Sequence, residues 1–291
     1  MAVRSVGVVG AGVMGSGIAE VCARQDLEVR LVEASAELVE AGRQRIERSM
    51  ARALERGRIT EEERDQTWGR IAFGTDLEAF RDSDLVVEAI PERLELKREL
   101  FGRLDRIAPA HAVLATNTSA LPITDIGRAT SRPERVIGTH FFNPPPVMQL
   151  LELVRSIDTD DATLATARSF GEGLGKRVIV AQDRAGFIVN RLLVPFLNGA
   201  IRLYDSGLAS REDIDAGMRL GCSHPMGPLE LLDHIGLDTA LLVCEALHAE
   251  YATSEYAAPP LLRRMVAAGH LGRKSGRGFY EYPLPGAPAQ G

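Results

Sequence analysis

The chain has 291 residues, 45% of them apolar and 25% charged, which suits a folded globular protein with one large and one small domain. Lys and Arg number 34 against 40 Asp and Glu, a net charge of −6, so no basic excess is available to neutralise phosphates and no nucleic-acid partner is expected. No apolar run reaches the ~18 residues of a membrane span. The first strand-like run, Val6-Gly7-Val8-Val9, starts too early to follow a cleavable leader. Cys22, Cys222 and Cys244 show neither paired nor metal-ligand spacing, so the sequence predicts a reduced, cytoplasmic protein with no membrane contact and no bound metal.

Short β-rich runs alternate with helical patterns over the first part of the chain. Val6 to Val9, Glu28 to Val32, Asp84 to Ala89, Val113 to Ala115, Val136 to His140, Gln149 to Val154 and Arg177 to Val180 read as strands, and Gly15 to Arg24 and Leu38 to Arg56 as helices. Such alternation predicts an α/β fold, a Rossmann-type parallel-rich sheet covered by helices. After Gln182 the character changes. Ile188 to Tyr204 reads as a helix closed by Gly207, Ser210 with Asp213 starts the next, and Pro228 opens a short one ending before Gly236. Asp238 is expected to cap another running toward Tyr251, and Pro259-Pro260 to introduce the last. The expected division is therefore residues 1–183 as a dinucleotide-binding domain and 184–291 as a smaller all-helical domain, with a disordered tail over Pro283 to Gly291.

Two constellations carry chemistry. Gly10-Ala11-Gly12-Val13-Met14-Gly15 follows the first strand and opens the first helix, and Glu33 stands eighteen residues past the third glycine at the end of the second strand. Gly10 permits the tight turn, Gly12 admits a pyrophosphate, and Gly15 lets the helix approach the sheet. Glu33 can accept hydrogen bonds from both ribose hydroxyls and would repel a 2′-phosphate, which favours NAD over NADP and leaves FAD as the competitor. The second constellation is His140 and, twelve residues on, Glu152 within the apolar run Leu150 to Val154. A carboxylate among aliphatic neighbours needs a partner. The Pro144-Pro145-Pro146 loop should reverse the chain and return Glu152 beside His140, making an oriented acid/base pair. A purely structural His-Glu pair is the competing reading at this point.

With VVEAIPE (Val86 to Glu92), TNTSALPI (Thr116 to Ile123), GTHFFNPPPVMQLLELV (Gly138 to Val154), DRAGFIVNRLLVPFLNGAIRL (Asp183 to Leu203), HPMGPLELLDHIGLDT (His224 to Thr239) and GRKSGRGFY (Gly272 to Tyr280) added to the glycine loop, the chain resembles the short-form 3-hydroxyacyl-CoA dehydrogenases, most of all the bacterial 3-hydroxybutyryl-CoA enzymes. The resemblance covers nearly the whole chain. It implies hydride transfer between NAD and a short L-3-hydroxyacyl-CoA (3-hydroxybutyryl-CoA and acetoacetyl-CoA), in fatty acid metabolism, by a homodimer joined through its helical domain. It further implies that His140 is the catalytic histidine and Glu152 its orienting carboxylate, and that Ser119 and Asn190 contact the acyl-CoA near the reacting oxygen. Glu92, Lys97, Asn143 and Lys274, with the glycine-loop residues Val13 and Met14, are implied as cofactor contacts, and Ser49 and Arg56 as CoA contacts. Glu33 stands where the family more usually has Asp, and Arg56 where Lys is common. A dehydrogenase of acyl units tethered to a carrier protein, or a noncatalytic NAD-binding protein on the same fold, would be alternatives.

Overall fold

The computed structural model describes residues 2–283, so most of the tail expected to be disordered lies outside the described residues. The chain divides into two compact units, Met1–Arg184 and Ala185–Gly291.

The first unit runs β1 (Ser5–Val9), α1 (Val13–Ala23), β2 (Glu28–Val32), α2 (Ala36–Glu55), α3 (Glu61–Gly69), β3 (Ile71–Gly74), β4 (Leu85–Glu88), α4 (Leu94–Ile107), β5 (Val113–Thr116), α5 (Ile123–Gly127), β6 (Val136–Phe141), β7 (Leu150–Arg155), α6 (Asp161–Gly173) and β8 (Arg177–Gln182). The eight strands form one sheet in the order β3-β2-β1-β4-β5-β6-β7-β8. Every pairing is parallel except β6 with β7. Helices cover the sheet, so β1 and β4 are buried along their whole length and are apolar but for Ser5 at the start of one and Glu88 at the end of the other. Gly7 in β1 leaves room for Phe80, whose ring would lie 2.5 Å from any added Cβ.

Strand β3 was not evident from the sequence. Its four residues end in glycine and sit at the sheet's edge, where only Ile71 is buried, so neither an apolar run nor an alternation stands out. Helix starts follow the expected chemistry. Ser35 caps α2, and Thr60 with Glu63 forms a reciprocal capping box at α3, with bonds of 3.1 and 2.7 Å.

The second unit is helical: α7 (Val189–Asp205), α8 (Arg211–Ala216) running into a π-turn at Gly217–Gly221, α9 (Pro228–Ile235), α10 (Leu237–Tyr251) and α11 (Pro260–Ala267). Leu197, Ile201, Leu229, Leu232, Leu237, Leu247 and Leu262 form its core. One expected cap is corrected. Helix α10 begins at Leu237 on Gly236, whose φ of 98° suits glycine, and Asp238 lies in the first turn, where it pairs with Lys274 at 2.6 Å. Buried Asp233 of α9 fastens the last described segment. Its carboxylate accepts hydrogen bonds from the Phe279 and Tyr280 backbone N–H groups and the Tyr282 hydroxyl, at 2.9, 2.8 and 3.1 Å. A Cβ at Gly278 would fall 1.9 Å from the same carboxylate, which accounts for a glycine there.

Candidate active site

The glycine turn joins β1 to α1 with little more than backbone. Gly10 has φ 100°, donates to the Val32 carbonyl at 2.8 Å, and an added Cβ there would come within 2.6 Å of the Ala89 carbonyl oxygen. A Cβ at Gly15 would lie 1.8 Å from the Gly10 oxygen. Gly12 differs from both: its Cβ would meet nothing within 4 Å, and as N-cap of α1 it offers the first-turn N–H groups no side-chain acceptor. Open space over uncapped helical N–H groups fits a dinucleotide's pyrophosphate. Glu33 is anchored at the rim, Oε1 accepting from Ala11 N–H at 3.2 Å and Oε2 from Ala34 N–H at 2.5 Å. Val13 is exposed and Met14 half-buried at the start of α1. The residues present therefore fit NAD, with an acidic side chain where the adenosine ribose would be held.

The antiparallel register of β6 and β7 sets His140 directly opposite Glu152, so both side chains leave the same face of the sheet. The Glu152 carboxylate is fully buried, and its Oε2 lies 2.7 Å from His140 Nδ1. An ionised carboxylate only accepts hydrogen bonds, so Nδ1 carries the hydrogen and Nε2 is the basic nitrogen. The connecting loop, residues 142–149, is held from beneath. Lys176, buried ahead of β8, donates to the carbonyls of Pro145 and Met148, both at 2.6 Å, and Pro145 packs where a side chain at Gly17 of α1 would stand. Burial, with Arg24 nearby, pushes the Lys176 ammonium below its ordinary pKa. Asn143, exposed, opens this loop ahead of a cis Pro144.

A third cluster lies at the carboxyl ends of β4 and β5. Glu92 Oε1 accepts from the Thr118 hydroxyl (2.5 Å), the Ser119 N–H (2.8 Å), the Ala120 N–H (3.2 Å) and the Ser119 hydroxyl (3.3 Å). Burial raises the Glu92 pKa, but the Lys97 charge and the bonds from Thr118 and Ser119 outweigh it and hold the carboxyl below the ordinary value. Lys97, expected at the cofactor, is turned inward. Its side chain is 1% exposed and its ammonium meets Glu88 at 2.5 Å and Glu92 at 3.3 Å, because the fully buried Glu88 requires a counter-charge. Asn117 accepts from the backbone N–H of Phe141, next to His140, at 2.9 Å and so ties β5 to β6.

Other expected residues are more dispersed. Ser49, half-buried on α2, lies close enough to the buried Glu20 of α1 to lower that acid's pKa against the stronger, opposing effect of burial; Arg56 is exposed at the end of α2. Asn190, half-buried in the first turn of α7, and Lys274, exposed and paired with Asp238, belong to the helical unit. Glu88, Asn117, Thr118 and Lys176 were not singled out from the sequence. A glutamate closing the otherwise apolar run of β4 is the one local signal that could have exposed Glu88.

A mostly parallel sheet with an uncapped glycine turn, an acid at the second strand's end and a buried histidine-carboxylate pair is the layout of a dinucleotide-dependent oxidoreductase. The chain belongs to the 3-hydroxyacyl-CoA dehydrogenase family: residues 5–184 match its NAD binding domain and residues 186–282 its C-terminal domain. It is 51% identical over 283 residues to a 3-hydroxybutyryl-CoA dehydrogenase of Mycobacterium tuberculosis, covering 97% of this chain and 99% of that one. It is 46% identical to the 3-hydroxybutyryl-CoA dehydrogenase of Bradyrhizobium diazoefficiens, with 97% and 98% covered. The crystal structure of (S)-3-hydroxybutyryl-CoA dehydrogenase PaaH1 from Ralstonia eutropha superposes with a TM-score of 0.92 at 44% identity, covering 97% of this chain and all of that one. With the NAD domain matched, NAD is the cofactor and FAD drops out.

Proposed function

We propose that the protein interconverts short L-3-hydroxyacyl-CoA, with 3-hydroxybutyryl-CoA and acetoacetyl-CoA as the preferred pair, and the corresponding 3-oxoacyl-CoA, with His140 and Glu152 as the acid/base pair. The observation that carries this reading is the 2.7 Å bond between His140 Nδ1 and a fully buried Glu152 carboxylate. NAD, when bound, supplies the hydride acceptor for the substrate's C3. The chain's own residues do the rest. His140 Nε2 takes the proton of the 3-hydroxyl, and Glu152 stabilises the imidazolium that forms. Ser119 and Asn190 hold the oxygen and the thioester, Glu92, Asn143 and Lys274 border the cofactor, and Ser49 and Arg56 meet the CoA. In reduction the same imidazolium returns its proton to the alkoxide.

The helical unit then also carries a homodimer contact. Support for the dimer comes from Leu192, Leu208, Leu220 and Leu242, which are 60–86% exposed on the helical unit. None of the described helices is long and apolar enough to cross a membrane, and none of the three cysteines is paired. We place the protein in the cytoplasm, in fatty acid metabolism.

The test is steady-state turnover of acetoacetyl-CoA with NADH and with NADPH. NADH is preferred, and His140→Gln lowers kcat by about 10² to 10⁴ with NADH affinity unchanged. Glu152→Gln lowers kcat for oxidation and moves the acidic limb of its pH profile to lower pH, because the protonated histidine has lost its counter-charge. Wild-type kcat with an unmoved limb in Glu152→Gln would reduce the pair to a structural contact.

A further inference from the structure

Lys176 is a buried cation without an anion. It is 8% exposed just ahead of β8, the ionisable groups that bear on it are Arg24 and Cys22 of α1, and no carboxylate pairs with it among the described residues. Burying an unpaired ammonium is costly, and an apolar side chain of the same length would fill the space without that cost. What the lysine gains is two carbonyl oxygens, those of Pro145 and Met148, at 2.6 Å each. Both belong to one turn. The Pro144 carbonyl accepts from the Val147 and Met148 N–H groups, at 3.0 Å each, so residues 144–148 close on themselves and shift as one piece. The same piece rests on α1, the helix opened by the glycine turn: a Cβ at Gly17 would lie 2.7 Å from Pro145 Cδ and 3.2 Å from Pro146 Cδ.

Asn143 leads straight into this turn, so its place depends on where the turn is fixed. We propose that Lys176 is a positioning residue for NAD, which fixes the 144–148 turn between α1 and β8 and through it holds the Asn143 side chain at the cofactor, an inference that rests on reading Asn143 as a cofactor contact. His140 is secured by other means. The β6–β7 register sets it opposite Glu152, and the N–H of the next residue, Phe141, is bound by Asn117. Loss of Lys176 therefore loosens the cofactor contact and leaves the acid/base pair where it is.

The test is a double-mutant cycle on NADH affinity, measured by fluorescence titration without turnover. Methionine in place of Lys176 keeps the length of the side chain and removes its three donors, and thermal melting shows whether Lys176→Met folds. In the wild-type background Lys176→Met weakens NADH binding about fivefold, the loss of one hydrogen bond to the ligand, while the acidic limb of the kcat profile for oxidation stays in place. In an Asn143→Ala background it weakens binding by less than about twofold, because coupled residues fail to add. An equal weakening in both backgrounds, none in either, or a moved limb overturns the positioning role. Should Lys176→Met not fold, Gly17→Ala runs the same cycle by pressing a methyl onto Pro145 from α1, with the same outcomes. An Asn143→Ala protein that binds NADH as tightly as wild type removes the reading of Asn143 and the inference with it, whereas a weakened Asn143→Ala with an additive cycle removes the inference alone.

Discussion

The two halves of the site are built by opposite means. At the ends of β1 and β2 the chain makes room by leaving side chains out: Gly10, Gly12 and Gly15 shape a turn of bare backbone, and Glu33 is held by two main-chain N–H groups. At the ends of β4 to β7 it buries carboxylates beside partners, Glu88 against Lys97 and Glu152 against His140. A diffuse, multiply charged ligand such as a pyrophosphate is met by many weak backbone dipoles, and close approach matters most. Moving a single proton, the role proposed for His140, needs one nitrogen held in one orientation, which a buried partner such as Glu152 supplies. The difference also sets how each half fails. The glycine turn should tolerate no added bulk at two of its three positions, and the charged half should tolerate no lost partner.

Breaking the charged half has the largest expected effect. Lys97→Met alone strands Glu88 in the core and should destabilise the first unit by about 3–5 kcal/mol, read by denaturant unfolding. A loss under about 1 kcal/mol would mean that Glu88 is neutral or reaches water.

Next comes the turn. Gly15→Ala forces a methyl to within 1.8 Å of the Gly10 oxygen and should cost about 1–3 kcal/mol together with measurable NADH binding. Gly12→Ala sharpens the contrast, since its methyl enters open space: stability should stay within about 0.5 kcal/mol while NADH affinity falls. Equal stability losses at the two positions would refute the division of labour between them.

The smallest effect compares two carboxylates of the same unit. Burial raises the Glu20 pKa more than Ser49, Arg24 and Arg52 lower it, whereas Glu92 ends below the ordinary value of 4.5 despite its own burial. An acid depressed in the folded state adds stability above its unfolded pKa and loses it as pH falls through the folded one, so Glu92 stabilises at neutral pH and fails below about 4.5. A raised acid runs the other way, and Glu20 weighs against the fold as pH rises above its ordinary range. In pH-dependent melting, Glu92→Gln should flatten the acid side of the stability curve, and Glu20→Gln should give its relative gain at neutral pH. Parallel shifts of both variants across the whole range would contradict this.

The first half of the site was largely legible in the sequence, because its grammar is local. Glycine spacing, the strand before it and the acid at the second strand's end all lie between Ser5 and Glu33. His140 and Glu152 were also within reach, since a proline loop leaves an antiparallel return as the natural path. Glu88 and Lys97 were not. A lysine in the amphipathic helix α4 reads as a solvated residue, and only the three-dimensional approach of α4 to the end of β4 turns it inward. Edge strand β3 and the start of α10 escaped for a related reason: in the one case tertiary pairing makes the strand, and in the other a glycine with positive φ, in place of an aspartate side chain, sets the boundary.

Lys176 gives the loop after His140 an unusual freedom. Its ammonium grips main-chain oxygens, those of Pro145 and Met148, and so ignores which side chains those positions carry. Val147 and Met148 are 52% and 39% exposed and take no part in that grip with their side chains. The path of the loop is thereby separated from its surface chemistry. Substitutions at these two positions can alter what the loop presents to its surroundings while the backbone course from β6 to β7, and the registry of the histidine with its carboxylate, stay as they are. For anyone wishing to retune the enzyme by variation rather than by redesign, this loop is a ready-made cassette.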